Sequence, residues 1–313
     1  MSKKILVTGV LGQIGSELVP KLWDRYGKEN VIALDYSSPP EDYDGVILKG
    51  DVRDEERMRD LWMKYEFDEV YHLASLLSAT GEKRPDLAWD VNMCGLKIIL
   101  DLAKEHDTRV FWASSIAVFG PNSPKERTPQ HTVLEPITIY GVTKVSGELL
   151  CQYYHEKYGL DVRSLRYPGL ISWKEKPGGG TTDYAVEMFY KAIKGEKYTC
   201  FVREDTRLPM MYMGDAIRGT LELMEIDEED ITIRTSYNHS ALSFTAADLV
   251  EELQNYYPDF EVEYEPDERQ KNADSWPDSI DDSKARRDWN WEHEYDLERI
   301  VKVMLENLEK KLG

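Results

Sequence analysis

No apolar run approaches the roughly 18 residues needed to cross a bilayer, although 41% of the chain is hydrophobic, so no membrane span is expected. The start, MSKKILVTG, also lacks the long apolar stretch and small-residue cleavage site of a secretion signal. It runs directly into a strand pattern, and a cytoplasmic location is expected. Cysteine is scarce. Cys94, Cys151 and Cys200 are far apart and odd in number, which argues against a disulfide framework and fits a reducing compartment. The six histidines form no H-x-x-x-H set and none sits near a cysteine pair, so no metal site is expected. Positive charge is short as well: 39 Lys and Arg face 59 Asp and Glu. The net charge of −20 argues against a nucleic-acid partner, because phosphate backbones demand the opposite sign. No repeat, low-complexity tract or Pro/Gly-rich linker divides the 313 residues, which leaves room for one large domain with or without a smaller appendage.

What is present is an alternation of strand-like and helix-like segments. Strands are expected at 3–9, 30–35, 45–51, 68–75, 109–115 and 161–169, and helices at about 13–26, 54–66, 84–105 and 138–158. Pro20 falls inside the first helix and threatens its continuity. This rhythm predicts an α/β fold, a doubly wound parallel sheet with helices on both faces. Residues 1–169 are expected to form the nucleotide-binding domain. Residues 170–313 are less regular, with a GGG turn at 178–180, a helix near 183–194, the stretch LPMMYM (208–213) and acidic helices. They are expected to form mainly a smaller C-terminal substrate lobe, with segments returning to the first domain.

The stretch VTGVLGQIG places Gly9, Gly12 and Gly15, with Gln13 and Ile14 between the last two, where the first strand turns into the first helix. Glycines there permit a tight turn and close approach to a pyrophosphate, and the helix N-terminus supplies N–H donors to it. The spacing is one residue longer than the usual G-x-G-x-x-G, so Gly12 and Gly15 are firmer assignments than Gly9. Asp35 ends the second strand twenty residues after Gly15. A carboxylate there accepts hydrogen bonds from ribose hydroxyls and repels a 2′-phosphate, which favours NAD over NADP. A glycine triplet alone can be a plain turn, and an aspartate can simply cap one; the position between strand and helix separates the two readings.

Three tyrosines precede a lysine by four residues: Tyr140/Lys144, Tyr153/Lys157 and Tyr190/Lys194. At that spacing the two side chains share a helix face, and an ammonium beside a phenol lowers its pKa from about 10. Bringing a tyrosine near 7 takes roughly 4 kcal/mol and yields a general base usable at neutral pH. The spacing alone means little, and most such pairs are helix surface. The first pair differs because Ser114 and Ser115 end the fifth strand, at the carboxyl edge where parallel sheets bind ligands, 25 residues before Tyr140. This set suits hydride transfer from a secondary alcohol. Tyr140 removes the hydroxyl proton, Ser115 hydrogen-bonds the developing carbonyl oxygen, and Lys144 lowers the tyrosine pKa and holds the ribose.

The glycine turn, Asp35, "GD" at 50–51, "HLA" at 72–74, Asn92 and the Ser115–Tyr140–Lys144 set resemble the extended short-chain dehydrogenases/reductases, which have a Rossmann sheet. That resemblance implies cofactor contacts from Asp51, Val52, Leu73, Ala74, Asn92, Tyr167 and Pro168 as well as from Tyr140 and Lys144. "SLLSATGE" (75–82), "SSIAVFGP" (114–121), "PGGGTTDYA" (177–185), "LPMMYM" (208–213) and "DSWPDSIDDSKARRDW" (274–289) narrow it to the short-chain type of L-threonine 3-dehydrogenase. The narrower resemblance implies oxidation of the β-hydroxyl of L-threonine with NAD⁺, and substrate contacts from Ser78, Ser114, Ser115, Tyr140, Thr181 and Thr182. Asp183 would face the substrate ammonium or, more commonly for such a residue, cap the following helix. A homodimer through the helices at 84–105 and 138–158 is implied in the same way. The alternative is a nucleotide-sugar epimerase using the same Ser–Tyr–Lys chemistry on a larger substrate. A dehydratase is disfavoured because Ile116 and Ala117 stand where that chemistry wants an Asp–Glu pair. The intact Ser–Tyr–Lys set also disfavours a non-catalytic NAD-binding regulator.

Overall fold

The computed structural model describes residues 3–39, 43 and 45–313. The first half runs β1 (Ile5–Thr8), α1 (Gln13–Tyr26), β2 (Val31–Asp35), β3 (Val46–Lys49), α2 (Glu55–Tyr65), β4 (Glu69–His72), α3 (Ser78–Lys83), α4 (Pro85–Trp89), α5 (Gly95–His106), β5 (Arg109–Ser115), α6 (Ile139–Tyr158) and β6 (Val162–Tyr167). It continues with β7 (Gly169–Ile171), α7 (Tyr184–Lys194), β8 (Tyr198–Cys200), β9 (Arg207–Tyr212), α8 (Met213–Glu225), β10 (Tyr237–Asn238), β11 (Leu242–Thr245), α9 (Ala246–Gln254), β12 (Val262–Tyr264), α10 (Glu268–Ser275), α11 (Ser283–Trp289) and α12 (Leu297–Leu312).

Seven strands form one parallel sheet in the order β10-β6-β5-β4-β1-β2-β3. The order reverses beside β1, so the chain leaves β1 and β4 in opposite directions and opens a crevice at their carboxyl ends. Alternation along each strand explains the helices on both faces. Ile5, Val7, Val31, Ala33 and Phe111 pack in one cluster with Leu18 and Leu22 of α1 and Ile217 and Leu221 of α8. Leu6, Ile32, Val110 and Trp112 point the other way, against Leu61 of α2, Ile99 and Leu102 of α5 and Tyr154 of α6. A third cluster gathers α7, α9 and α12 around Leu208 and Met210 of β9, beside the small sheet β11-β9-β7. No helix among the described residues is long and apolar enough to cross a membrane.

One helix expectation holds and one needs correction. Pro20 does not interrupt α1, which runs unbroken from Gln13 to Tyr26. The proline forfeits one backbone bond, but Leu18, Val19 and Leu22 are fully buried around it, and packing outweighs that loss. The single helix expected over 84–105 is instead α4, a π-helical turn at Asp90–Cys94 and α5. That turn rotates Asn92 inward, and π-turns of this kind recur beside functional sites.

Candidate active site

The glycine turn is shaped by two contacts. Gly9 has φ +73°, a left-handed conformation, and a Cβ there would lie 2.7 Å from the Ala74 nitrogen. A Cβ on Gly15 would lie 2.6 Å from the Gly9 carbonyl oxygen. Gly12, by contrast, has ordinary room on the protein side. Its backbone starts α1 and lines a cavity, so the space a side chain would take belongs to whatever binds there. Gly9, the least certain of the three from spacing, is thus the one the fold most requires to be glycine. Asp35 fastens the turn, accepting from the Leu11 N–H at 3.0 Å and the Ser37 N–H at 2.9 Å.

Two cavities flank this turn and share Gly9 and Ser75 in their walls. The outer one, about 300 Å³, is lined by Asp35, Asp51, Val52 and Ala74 together with Arg53 and Arg84. Arg53 grips the Asp51 carboxylate with its Nε and Nη2, the latter at 2.6 Å, and holds that carboxyl below its usual range. The inner cavity, about 240 Å³, is lined by Gly12, Gln13, Ile14, Gly15, Leu73, Tyr167 and Pro168. Ser78, Ser114, Ser115, Tyr140, Lys144, Thr181 and Thr182 line it as well. The residues singled out in the sequence therefore converge on two adjoining spaces, with one exception. Asn92 lines neither cavity. It is buried, its Nδ2 donates to the Leu76 carbonyl and to Thr143 Oγ1, and its Oδ1 accepts from the Leu76 N–H and Ser75 Oγ. These bonds make Asn92 a brace between the loop after β4 and α6. Trp276, Leu77, Leu170 and Asp183 also line the inner cavity, and the sequence reading gave none of them a firm place there. Trp276 arrives from the far end of the chain, where Lys125 Nζ donates to its carbonyl at 2.6 Å.

Within the inner cavity Ser115 draws the pKa of the Tyr140 hydroxyl down, but burial dominates and pushes it up to about 12. Lys144 is buried at 3% exposure, its Nζ donating to the Ala113 carbonyl at 2.6 Å and lying 5.3 Å from the centroid of the Tyr140 ring. Burial lowers the lysine to about 8. The expected depression of the tyrosine by its lysine is therefore not a property of this resting arrangement. The direct lysine–phenol bond occurs instead in the exposed pair, where Lys157 Nζ donates to Tyr153 Oη at 2.6 Å and lowers that phenol. Nearby His72 is held by Thr8 Oγ1 at 2.8 Å, and burial drives its imidazole down to about 3, so it stays neutral.

Three polar residues of the cavity wall differ in their bonding. Ser114 is 2% exposed and donates to Glu148 Oε1 at 2.6 Å, so its proton is committed inside the protein. Thr181 Oγ1 is buried and has no hydrogen-bond partner, which is costly unless a ligand supplies one. Asp183 stands at the N-cap position of α7 but makes no bond to that helix's first turn. Its Oδ2 bends back to accept from the Gly179 and Gly180 N–H groups, each at 2.7 Å, and thereby ties down the glycine turn. Burial raises its pKa.

The sequence profile of the NAD dependent epimerase/dehydratase family matches residues 5–237. The chain belongs to that family. Among its relatives, an uncharacterized epimerase/dehydratase of Staphylococcus aureus is 50% identical over 313 residues, covering 99% of this chain and 98% of the relative. Two solved structures are similarly near. The apo form of a monomeric L-threonine 3-dehydrogenase from a metagenome is 50% identical with TM-score 0.96, covering 99% of this chain and 100% of that one. The holo form of the GalE-like L-threonine dehydrogenase from Cupriavidus necator is 50% identical with TM-score 0.95, covering 97% and 99%. This member of the family shares their sheet and helix arrangement over nearly its whole length.

Proposed function

We propose that this chain oxidises the β-hydroxyl of L-threonine to 2-amino-3-oxobutanoate with NAD⁺, Tyr140 acting as general base. One observation carries the choice of substrate. The inner cavity is small and rich in hydroxyls, and Lys144 is the one cation among the described residues that line it. That ammonium is already engaged by the Ala113 carbonyl. A nucleotide sugar brings a diphosphate that would find no counter-ion there, whereas a small zwitterion meets Ser78, Thr181 and Thr182 for its carboxylate and Asp183 for its ammonium. The similar structures whose names specify L-threonine support the same choice over an epimerase.

The residues present fit the cofactor. The turn at Gly9 and Gly12 leaves a cradle open to a pyrophosphate at the start of α1. Asp35 and Asp51 stand where ribose and adenine would lie. When bound, NAD⁺ supplies the acceptor for the hydride leaving the β-carbon. The chain's own residues manage the rest. Tyr140 takes the hydroxyl proton, Ser115 donates a hydrogen bond to the oxygen as it becomes a carbonyl, and the Lys144 charge favours the phenolate. Asp35 should make NAD⁺ strongly preferred over NADP⁺, and Asp35→Ala should narrow that preference; equal efficiency of both cofactors with the unmutated protein would remove this role.

Thr181→Val gives opposite signs for activity and stability. It keeps the shape of the side chain and deletes a buried hydroxyl that has no partner in the protein. Stability should hold or rise, while losing a hydrogen bond to a charged substrate group costs about 1.5–3 kcal/mol, or roughly 10–150-fold in kcat/KM for threonine. Unchanged kcat/KM would place the carboxylate elsewhere.

The division into a nucleotide-binding part up to 169 and a mainly substrate-binding part beyond it belongs to the same proposal. So does a homodimer through α5 and α6. Val142, Leu149 and Tyr153 are exposed along α6, and a single-chain mass by light scattering would exclude that dimer.

A further inference from the structure

Behind the inner cavity lies a buried ionic chain that the proposed chemistry does not use directly. Glu148 on α6 is 1% exposed; its Oε1 accepts from Ser114 Oγ at 2.6 Å and from Arg166 Nε at 2.8 Å, and its Oε2 accepts from Arg166 Nη2 at 2.6 Å. Arg166 on β6 is also buried, and its Nη1 donates to the Gln130 carbonyl and to Asn238 Oδ1, both at 3.0 Å. Ser114 and Arg166 are register partners on adjacent strands, one residue before Ser115 and Tyr167, which are the next partners. Each charge in this chain is paired and hydrogen-bonded.

Tyr140, Lys144 and Glu148 follow one another at intervals of four and so share one face of α6. That face meets the last three residues of β5 in three successive rungs. Tyr140 lines the cavity beside Ser115, Lys144 Nζ donates to the Ala113 carbonyl, and Glu148 accepts from Ser114 Oγ. The outer two rungs differ in kind. The Tyr140–Ser115 rung must open and close with the reacting hydroxyl, while the Glu148–Ser114 rung is sealed in the protein and clamped from β6. A buried ion pair gives little net stability over apolar residues of the same volume, and its best-attested use is to fix register.

We propose that Glu148, acting through Ser114 and held by Arg166, is a positioning residue that sets the register of α6 on β5 so that Ser115, Tyr140 and Lys144 converge on the substrate oxygen. This rests on the threonine oxidation proposed above. It assigns Ser114 a role through its neighbour and not through the ligand, unlike a direct substrate contact.

The test uses the full-length protein with NAD⁺ and L-threonine. Ser114→Ala removes the rung but leaves Glu148 paired with Arg166, so the variant should fold even where Glu148→Gln fails to. The expected result is a kcat at least about 10-fold lower with KM for threonine and the thermal midpoint little changed, and recovery of most of the kcat in Ser114→Thr, which restores the hydroxyl. A raised KM with unchanged kcat would make Ser114 a substrate contact and overturn the proposal. So would unchanged kinetics, or equal damage in the Ala and Thr variants with a lowered thermal midpoint. If the unmutated protein oxidises no threonine, the proposed function fails on its own. The positioning role is then decided by determined structures of the unmutated protein and Ser114→Ala: a larger separation of Ser115 Oγ from Tyr140 Oη in the variant supports it, and an unmoved pair overturns it.

Discussion

Tyr140→Phe is expected to lower turnover by about 10²–10⁴-fold while leaving the fold and NAD⁺ binding intact. The ring packs as before, and only the phenol proposed to take the substrate proton is lost. The size of the effect follows from the chemistry this side chain is asked to do. At rest its pKa is about 12, raised by burial, so it holds its proton firmly. In the proposed mechanism it becomes a base only when positive charge accumulates beside it, with Lys144 as the protein's own contribution. Activity should therefore rise with pH as the phenol ionises, and the gain should fade above about 8, where Lys144 loses its proton. The controls are internal to the chain. Tyr153→Phe removes a phenol that truly bonds its lysine, and Tyr190→Phe removes one at the same spacing, yet neither lines the cavity. Both should leave turnover nearly unchanged. Similar losses in all three variants, measured by initial rates of NADH formation, would show that Tyr140 has no special role.

Lys144→Met is expected to separate function from stability. Turnover should fall by about 10²–10³-fold, the range found when a group that stabilises developing negative charge is removed. Stability at pH 7 should hold. The lysine's pKa is lowered from 10.5 to about 8, so the folded state binds that proton less tightly than the unfolded chain does. Below pH 8 the protonated lysine therefore costs the fold about 3 kcal/mol, and the cost disappears as pH rises from about 8 towards 10.5. Methionine removes this cost but leaves the Ala113 carbonyl without its donor, a loss of about 1–3 kcal/mol, so the two roughly offset. A thermal midpoint unchanged within a few degrees alongside the loss of turnover is the expected pair of results. A large drop in stability with turnover preserved would reverse the assignment of Lys144 from chemistry to scaffold.

The parts legible in the sequence are those set by local period and local sterics. Short strand-like runs mark β1 through β6, the glycine turn announces itself where strand meets helix, and Asp35 follows from its place at the end of β2. What could not be read depends on contacts between distant segments. Strand β10 is only Tyr237–Asn238, too short to show a period, and it joins the main sheet because Asn238 is bound by Gln130 and Arg166. The π-turn around Asn92 is invisible in a continuous helical pattern, since it differs from α-helix by a single residue of register. Ser114 and Ser115 are equivalent as letters; only Glu148, 34 residues on from Ser114, decides that one faces inward. Trp276 carries no motif of its own and reaches the cavity through the fold of the C-terminal segment.

The measurement that bears most directly on the central claim is the formation of NADH, followed by absorbance, when the purified protein meets NAD⁺ with L-threonine or with UDP-sugars in parallel. The cavity of hydroxyls around Tyr140 predicts NADH from L-threonine, much less with NADP⁺ in place of NAD⁺, and no interconversion of the sugars. Epimerisation of a UDP-sugar with no NADH formed from L-threonine would contradict it.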